Sequence, residues 1–174
     1  MISIDLSNKN AIVCGASKGI GKAIALSLAE CGASVVLLAR DGNLLQNCRD
    51  ELSTVNNQKH QILMVDFDKP EDLKIKLTNL LKELNVHILI NNTGGPPAGK
   101  AILSEPSQFE SAFRQHLICN QILVQSVLNS MKEQSYGRII NIISTSVKQP
   151  LDNLGVSNTI RGAVANWSKT LANE

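Results

Sequence analysis

Near the end of the chain, the run GVSNTIRGAV (residues 155–164) places a hydroxyl, Ser157, four residues before a guanidinium, Arg161. On a helix, residues i and i+4 share one face, so hydroxyl and cation would stand side by side. Near the start, CGASKGIGKAIA carries glycines at Gly15, Gly19 and Gly21. Glycine lets a backbone come close to a ligand. A helix opening at that point offers unpaired N–H groups and the positive end of its dipole, which suits a phosphate. A tight turn with close helix–strand packing would need the same glycines. The position of the motif between an apolar strand and a helix favours the nucleotide phosphate.

The elements that must position these groups are legible as alternating short apolar runs and longer helical patterns. Strands are expected at AIVC (Ala11–Cys14), SVVLLA (Ser34–Ala39), QILMVD, HILINN and RIINIIS. Helical spacing follows each one: Ile20, Ile24, Leu28 and Cys31 in the first helix, and Leu44, Leu45, Cys48 and Leu52 in the second. PEDLKIKLTNLLKEL opens with Pro70 at a favoured first helical position and acids in the first turn. Ser107–Gln134 is expected as one long helix, and another runs from about Ser157 to Glu174. Strands apolar on both faces and joined by helices predict a parallel sheet covered on both sides, a doubly wound α/β domain of Rossmann type.

The GxxxGxG spacing resembles the short-chain dehydrogenase/reductase family, in which this loop binds the pyrophosphate of NAD(P). The resemblance places Gly15, Ser17, Lys18, Gly19, Ile20 and Gly21 against the cofactor, with Cys14 where the family usually has threonine. Asp66 and Phe67 fall where family members hold the adenine. The run NNTGG (Asn91–Gly95) is similar to the family's NNAG, so Asn92 and Gly94 would lie along the ribose. Thr93 replaces an alanine, a change expected to be tolerated. Turn-capping and strand-bridging are the plain roles for these asparagines, and both roles can hold together. At the tip of the second strand stands Arg40, not an acid. With Lys18 it suits an extra phosphate, so NADP(H) is expected over NAD(H). Asp41, one residue on, weakens that preference.

The family's catalytic positions map one at a time. Its serine corresponds to Ser144, whose hydroxyl could bond a substrate carbonyl. Its tyrosine, thirteen residues on, corresponds to Ser157, and its lysine to Arg161. Its helical asparagine maps onto His116, with Asn120 one turn away. A serine is far less acidic than a phenol and shorter, while arginine keeps a charge and donors but never deprotonates. Tyr136 is the only tyrosine and sits in a turn before the fifth strand, away from the site. A helix N-cap is the plain reading of Ser157. A divergent subgroup similar to 3-oxoacyl-(acyl-carrier-protein) reductases shares the Ser157-Asn158…Arg161 pattern together with GGPP (Gly94–Pro97) and SVKQP (Ser146–Pro150).

The resemblance implies a carbonyl or alcohol oxidoreductase. Ser144 would orient the oxygen, Arg161 would stabilise the alkoxide, and the proton would come from Ser157 through water, from His116 or from Lys148. A nucleotide-binding sensor, scaffold or partner subunit without chemistry is the competing reading, and a structural protein with an empty cleft is a third. Family members continue past the equivalent of residue 174 with another strand, a substrate-covering lid and a final strand. The chain therefore reads as a single domain over 1–174, either a fragment or a short form whose fifth strand needs covering. The helices 107–134 and 157–174 match the family's usual dimer-forming pair, so a homodimer or homotetramer is expected.

Composition narrows the rest. Hydrophobic residues make up 43% and charged residues 18%, which excludes a disordered chain. The net charge of +2 is scattered, so nucleic acid is not the expected partner. Four cysteines without CxxC spacing and three distant histidines give no metal-site pattern, and unpaired cysteines suit a cytoplasmic location. No signal-peptide pattern opens the chain and no apolar run is long enough to span a bilayer, so no membrane partner is expected.

Overall fold

The computed structural model describes residues 4–174. Five strands form one parallel sheet in the order β3-β2-β1-β4-β5: β1 Asn10–Cys14, β2 Ser34–Ala39, β3 Gln61–Met64, β4 Ile88–Asn91 and β5 Arg138–Asn141. The chain builds outward from β1 to β3, then returns to β4 beside β1. That reversal opens a crevice at the C-terminal ends of β1 and β4, where α/β sheets bind ligands.

Alternation along each strand supplies two cores. On one face Ile12, Cys14, Val36, Leu38 and Leu89 pack against α3 (Pro70–Leu80) and α5 (Cys119–Glu133) through Leu73, Leu77, Leu123, Val124 and Val127. On the other face Val13, Val35, Leu37, Ile88 and Ile90 meet α1 (Gly19–Glu30) and α2 (Gly42–Asp50) through Ala25, Ala29, Leu45 and Cys48. β5 lies at the sheet edge, paired only with β4 among the described residues, and its Ile140 remains half exposed.

Two expected boundaries are corrected. The long helix expected over 107–134 is α4 (Pro106–Phe113) and α5 joined by a π-helical turn, Arg114–Ile118. The wider turn carries an extra residue, a device that re-aims side chains inside a helix; His116 is buried within it. The last helix, α6, spans Gly155–Asn173 and starts two residues before Ser157, with Leu154 at the N-cap. The start is fixed from outside. Gly155 N–H donates to the Gly99 carbonyl at 2.9 Å, and Gly99 N–H donates to the Asn153 carbonyl at 2.7 Å. A Cβ on Gly155 would stand 2.3 Å from the Ala101 nitrogen, so only glycine permits this contact. Ser157 is therefore not the cap that its residue type suggested.

Candidate active site

The first half of the site is made from backbone. β1 runs into Gly15, which has φ +59°, and α1 opens at Gly19 with φ +58°. A Cβ on Gly21 would lie 2.2 Å from the Gly15 carbonyl oxygen, and one on Gly15 would lie 2.5 Å from the Asn92 oxygen. Close packing thus demands glycine at 15 and 21, while the backbone at Gly19 faces open space. No side chain caps the N-terminus of α1, so its first N–H groups point outward unspent. The tight-turn reading of the glycines holds, and the uncapped start of α1 leaves its N–H groups available to a phosphate.

The cradle opens into a cleft of about 510 Å³ lined by Gly15, Ser17, Lys18, Gly19, Ile20, Arg40, Phe67, Asn92, Thr93 and Gly94. A second cavity of about 390 Å³ adjoins it, sharing Arg40, Phe67, Thr93 and Gly94 and adding Asp66, Gln108 and Gln115. Every cofactor-binding position expected from the sequence except Gly21, which is buried beneath the loop, lines one of these two spaces. Asn92 Nδ2 donates to the Cys14 carbonyl at 3.2 Å, locking β4 to β1 across the crevice. Asn91 Nδ2 donates to Asn141 Oδ1 at 2.7 Å, and Asn141 Nδ2 donates to Ser168 Oγ at 2.8 Å, which ties β4, β5 and α6 together. Asp41 also lines the cleft, with one carboxylate oxygen, Oδ1, accepting from the Leu44 N–H at 3.0 Å as the cap of α2. Arg40 and Lys18 are left exposed as cations on the rim.

The second half is made from side chains. Thr93, on the cleft wall, bonds His116 Nδ1 through its hydroxyl at 2.5 Å. The imidazole is only 2% exposed, and its Nε2 has no hydrogen-bond partner among the described residues. Burial first, and the Arg161 guanidinium second, push its pKa down to about 4. His116 is therefore neutral at pH 7, and the expected proton-donor role narrows to that of a neutral ring N–H. The sequence paired neither residue with the other; the signal was that two departures from the family pattern, Thr93 and His116, occur in one chain.

Arg161 is buried, with Nη1 donating to the Ile142 carbonyl at 2.8 Å. Ser144 lies two residues beyond that carbonyl. Its half-buried Oγ accepts from the Ser146 N–H at 3.1 Å, closing the turn after β5. Ser157 is half-buried in the first turn of α6 and makes no side-chain hydrogen bond among the described residues. Its neighbour Asn158 has a structural role missed in the sequence: Nδ2 donates to the Leu151 carbonyl at 2.8 Å, pinning the loop before α6. Lys148 lies along a different groove, between β5 and α6 with Ile140 and Lys169, outside the nucleotide cleft. Tyr136 packs beneath Lys9 and Arg138, with its ring centroid 4.4 Å and 4.8 Å from their cationic groups, before β5 and so at the opposite end of the sheet.

The sequence profile of the short chain dehydrogenase family matches residues 9–174. L-xylulose reductase of Caenorhabditis elegans is 30% identical over 172 residues, covering 98% of this chain and 67% of that protein. The human inactive hydroxysteroid dehydrogenase-like protein 1 is 28% identical over 167 residues, covering 94% of this chain and 50% of its own length. The crystal structure of L-sorbose reductase from Gluconobacter frateurii, complexed with NADPH and L-sorbose, superposes with a TM-score of 0.92 at 26% identity over 99% of this chain and 66% of that one. This chain spans about half the length of several curated relatives it matches. With a phosphate-ready glycine loop at the switch point of a 3-2-1-4-5 parallel sheet and a family profile running from residue 9 to residue 174, the chain belongs to the short-chain dehydrogenase/reductase family.

Proposed function

We propose that this protein is an NADP(H)-dependent oxidoreductase that reduces a carbonyl compound to an alcohol with an atypical active site. The observation that carries the reading is the continuous cleft from the unsatisfied N–H groups of α1, past Arg40, to Thr93 and Gly94. A bound nicotinamide cofactor would supply hydride. The chain's own residues would hold its pyrophosphate on Gly15, Ser17, Gly19 and Ile20, its adenine beside Asp66 and Phe67, and its ribose along Asn92 and Gly94. The preference for NADP(H) rests on the two exposed cations, Arg40 and Lys18, outnumbering the one carboxylate there, Asp41, whose Oδ1 is engaged as a helix cap.

In the reacting half, Ser144 orients the substrate oxygen and Arg161 supplies the positive charge that stabilises it as it becomes negative, the kind of electrostatic term that dominates many catalysed reactions. Ser157 passes a proton through water. The buried His116 and its bond to Thr93 hold the wall of the cleft beside that point. The resemblance of the Gly94–Pro97 and Ser146–Pro150 segments to a subgroup similar to 3-oxoacyl-(acyl-carrier-protein) reductases puts a 3-oxoacyl thioester in the substrate panel. Steady-state NADPH oxidation with ketones, oxo acids and 3-oxoacyl thioesters tests the reading; cofactor binding without turnover of any of them would contradict it.

A specific observation favours the second reading, an NADP(H)-binding sensor, scaffold or partner subunit. The resemblance puts Ser157 and Arg161 where the family has its Tyr/Lys pair, and one relative is itself named as inactive. Turnover gained by the Ser157→Tyr/Arg161→Lys double variant, with none in the parent, would decide for it. We also propose assembly as a homodimer or homotetramer through residues 107–134 and 157–174. Half-exposed Phe113 and Ile118 along the first of these segments support it, and sedimentation velocity tests it.

A further inference from the structure

Arg161 is 9% exposed and makes one side-chain hydrogen bond among the described residues, from Nη1 to the neutral Ile142 carbonyl. The ion pairs of the described residues are Lys22–Glu51, Arg49–Asp50 and Lys76–Asp72, none of which reaches it. Burial lowers its pKa, and no carboxylate offsets that shift. A guanidinium has five N–H donors and does not shed its proton, and a buried charge without a partner is strongly destabilising. Three other buried polar atoms also lack partners among the described residues: Asn91 Oδ1 at the end of β4, His116 Nε2, close enough to feel the Arg161 charge, and Ser146 Oγ, on the turn that packs against α6. Of these groups Arg161, a full positive charge, lies on α6, and the segments that carry His116 and Ser146 pack against that helix.

We propose that Arg161 is the substrate's anion-binding group and that the substrate is a small 2-oxo acid. This rests on the reading above that the cleft beyond Thr93 receives a carbonyl compound. A 2-oxo acid presents its keto oxygen and one carboxylate oxygen side by side, a pair that the free edge of one planar guanidinium fork can span. The carboxylate supplies the missing counter-charge. The same fork then stabilises the keto oxygen as hydride from the reduced cofactor reaches the carbon. A proton delivered to that oxygen completes a 2-hydroxy acid and leaves oxidised cofactor, so electrons and protons balance.

The test is an NMR titration of the whole chain saturated with NADP⁺, which cannot react with a 2-oxo acid. It follows the Arg161 Nε–H and His116 ring resonances as pyruvate, methyl pyruvate, acetate or chloride is added. The ester keeps the ketone and removes the charge. Saturable shifts with pyruvate, about tenfold or more weaker with methyl pyruvate, acetate and chloride, and abolished in Arg161→Gln, support the proposal. Arg161→Lys keeps the charge without the fork and should bind pyruvate with intermediate affinity, which keeps the test available if Arg161→Gln does not fold. Equal shifts with pyruvate and its ester, equal binding of chloride, or undiminished pyruvate binding in the folded variants would overturn it. NADPH binding is measured on the same samples: bound NADPH without bound pyruvate overturns this inference alone, whereas no NADPH binding overturns the proposed function as well.

Discussion

At the C-terminal end of β1 the binding surface is backbone, held open by glycines that nothing else can replace. At the C-terminal end of β5 the proposed reacting half is side chains, with Arg161 and His116 buried and only partly satisfied. The glycine half is rigidly specified by contact: Gly21 sits against Gly15, Gly15 against Asn92, and Asn92 bonds back to Cys14. In the β5–α6 half Arg161 has no acidic partner among the described residues, and burial first, with its charge second, depresses the pKa of His116. Such a division lets one scaffold keep its cofactor half while the reacting half changes chemistry.

The largest effect is expected where contact rules. Gly21→Ala would drive a methyl to 2.2 Å from the Gly15 carbonyl oxygen. The loop must shift, destabilising the fold by about 1–3 kcal/mol and lowering NADPH affinity by about a hundredfold or more. Thermal denaturation and cofactor titration read the two effects separately. An NADPH affinity unchanged by this substitution would mean that the loop is not the phosphate site.

The next effect belongs to the charged half. The folded pKa of His116, about 4, lies below the ordinary histidine value. The unfolded chain therefore takes up the proton first as pH falls. Stability contributed by the neutral, buried ring is complete above about pH 6.5 and is lost progressively towards pH 4, by roughly 3 kcal/mol at most. His116→Asn should flatten that part of the stability-against-pH curve measured by denaturant titration. An equally steep slope in the variant would assign the pH dependence to other groups.

Arg40→Ala sharpens the comparison from the cofactor side. Loss of one charge-assisted contact should weaken NADPH by about tenfold while leaving NADH within a factor of about two. Parallel losses for both cofactors would remove the basis for the NADP(H) preference. The smallest effect is the cross-talk within the β5–α6 half. Arg161→Gln should raise the His116 pKa from about 4, yet leave it below the ordinary value because burial is the larger cause. NMR of the ring protons reads this directly.

Much of the glycine half was legible in the sequence because its signals are local. The apolar runs of β1, β2 and β4 are buried on both faces, so their composition alone marks them. The glycine spacing is confined to seven residues. The other half depends on contacts between distant segments. The start of α6 is set by Gly155 meeting Ala101, and no propensity in GVSNTIRGAV could place it there. The π turn around His116 lies inside an otherwise regular helical pattern. Thr93 read as a tolerated replacement, but its hydroxyl bonds an imidazole 23 residues away. Arg161 was legible as a cation at the right spacing; that it is buried without an acid depends on what the fold leaves out around it.

We propose for this chain an NADP(H) cradle beside a reacting half built around Arg161. Isothermal titration of NADPH and NADH into the unmodified protein tests it most directly. Saturable NADPH binding, tighter than NADH by about tenfold, is predicted. No saturable heat with either cofactor would contradict the account.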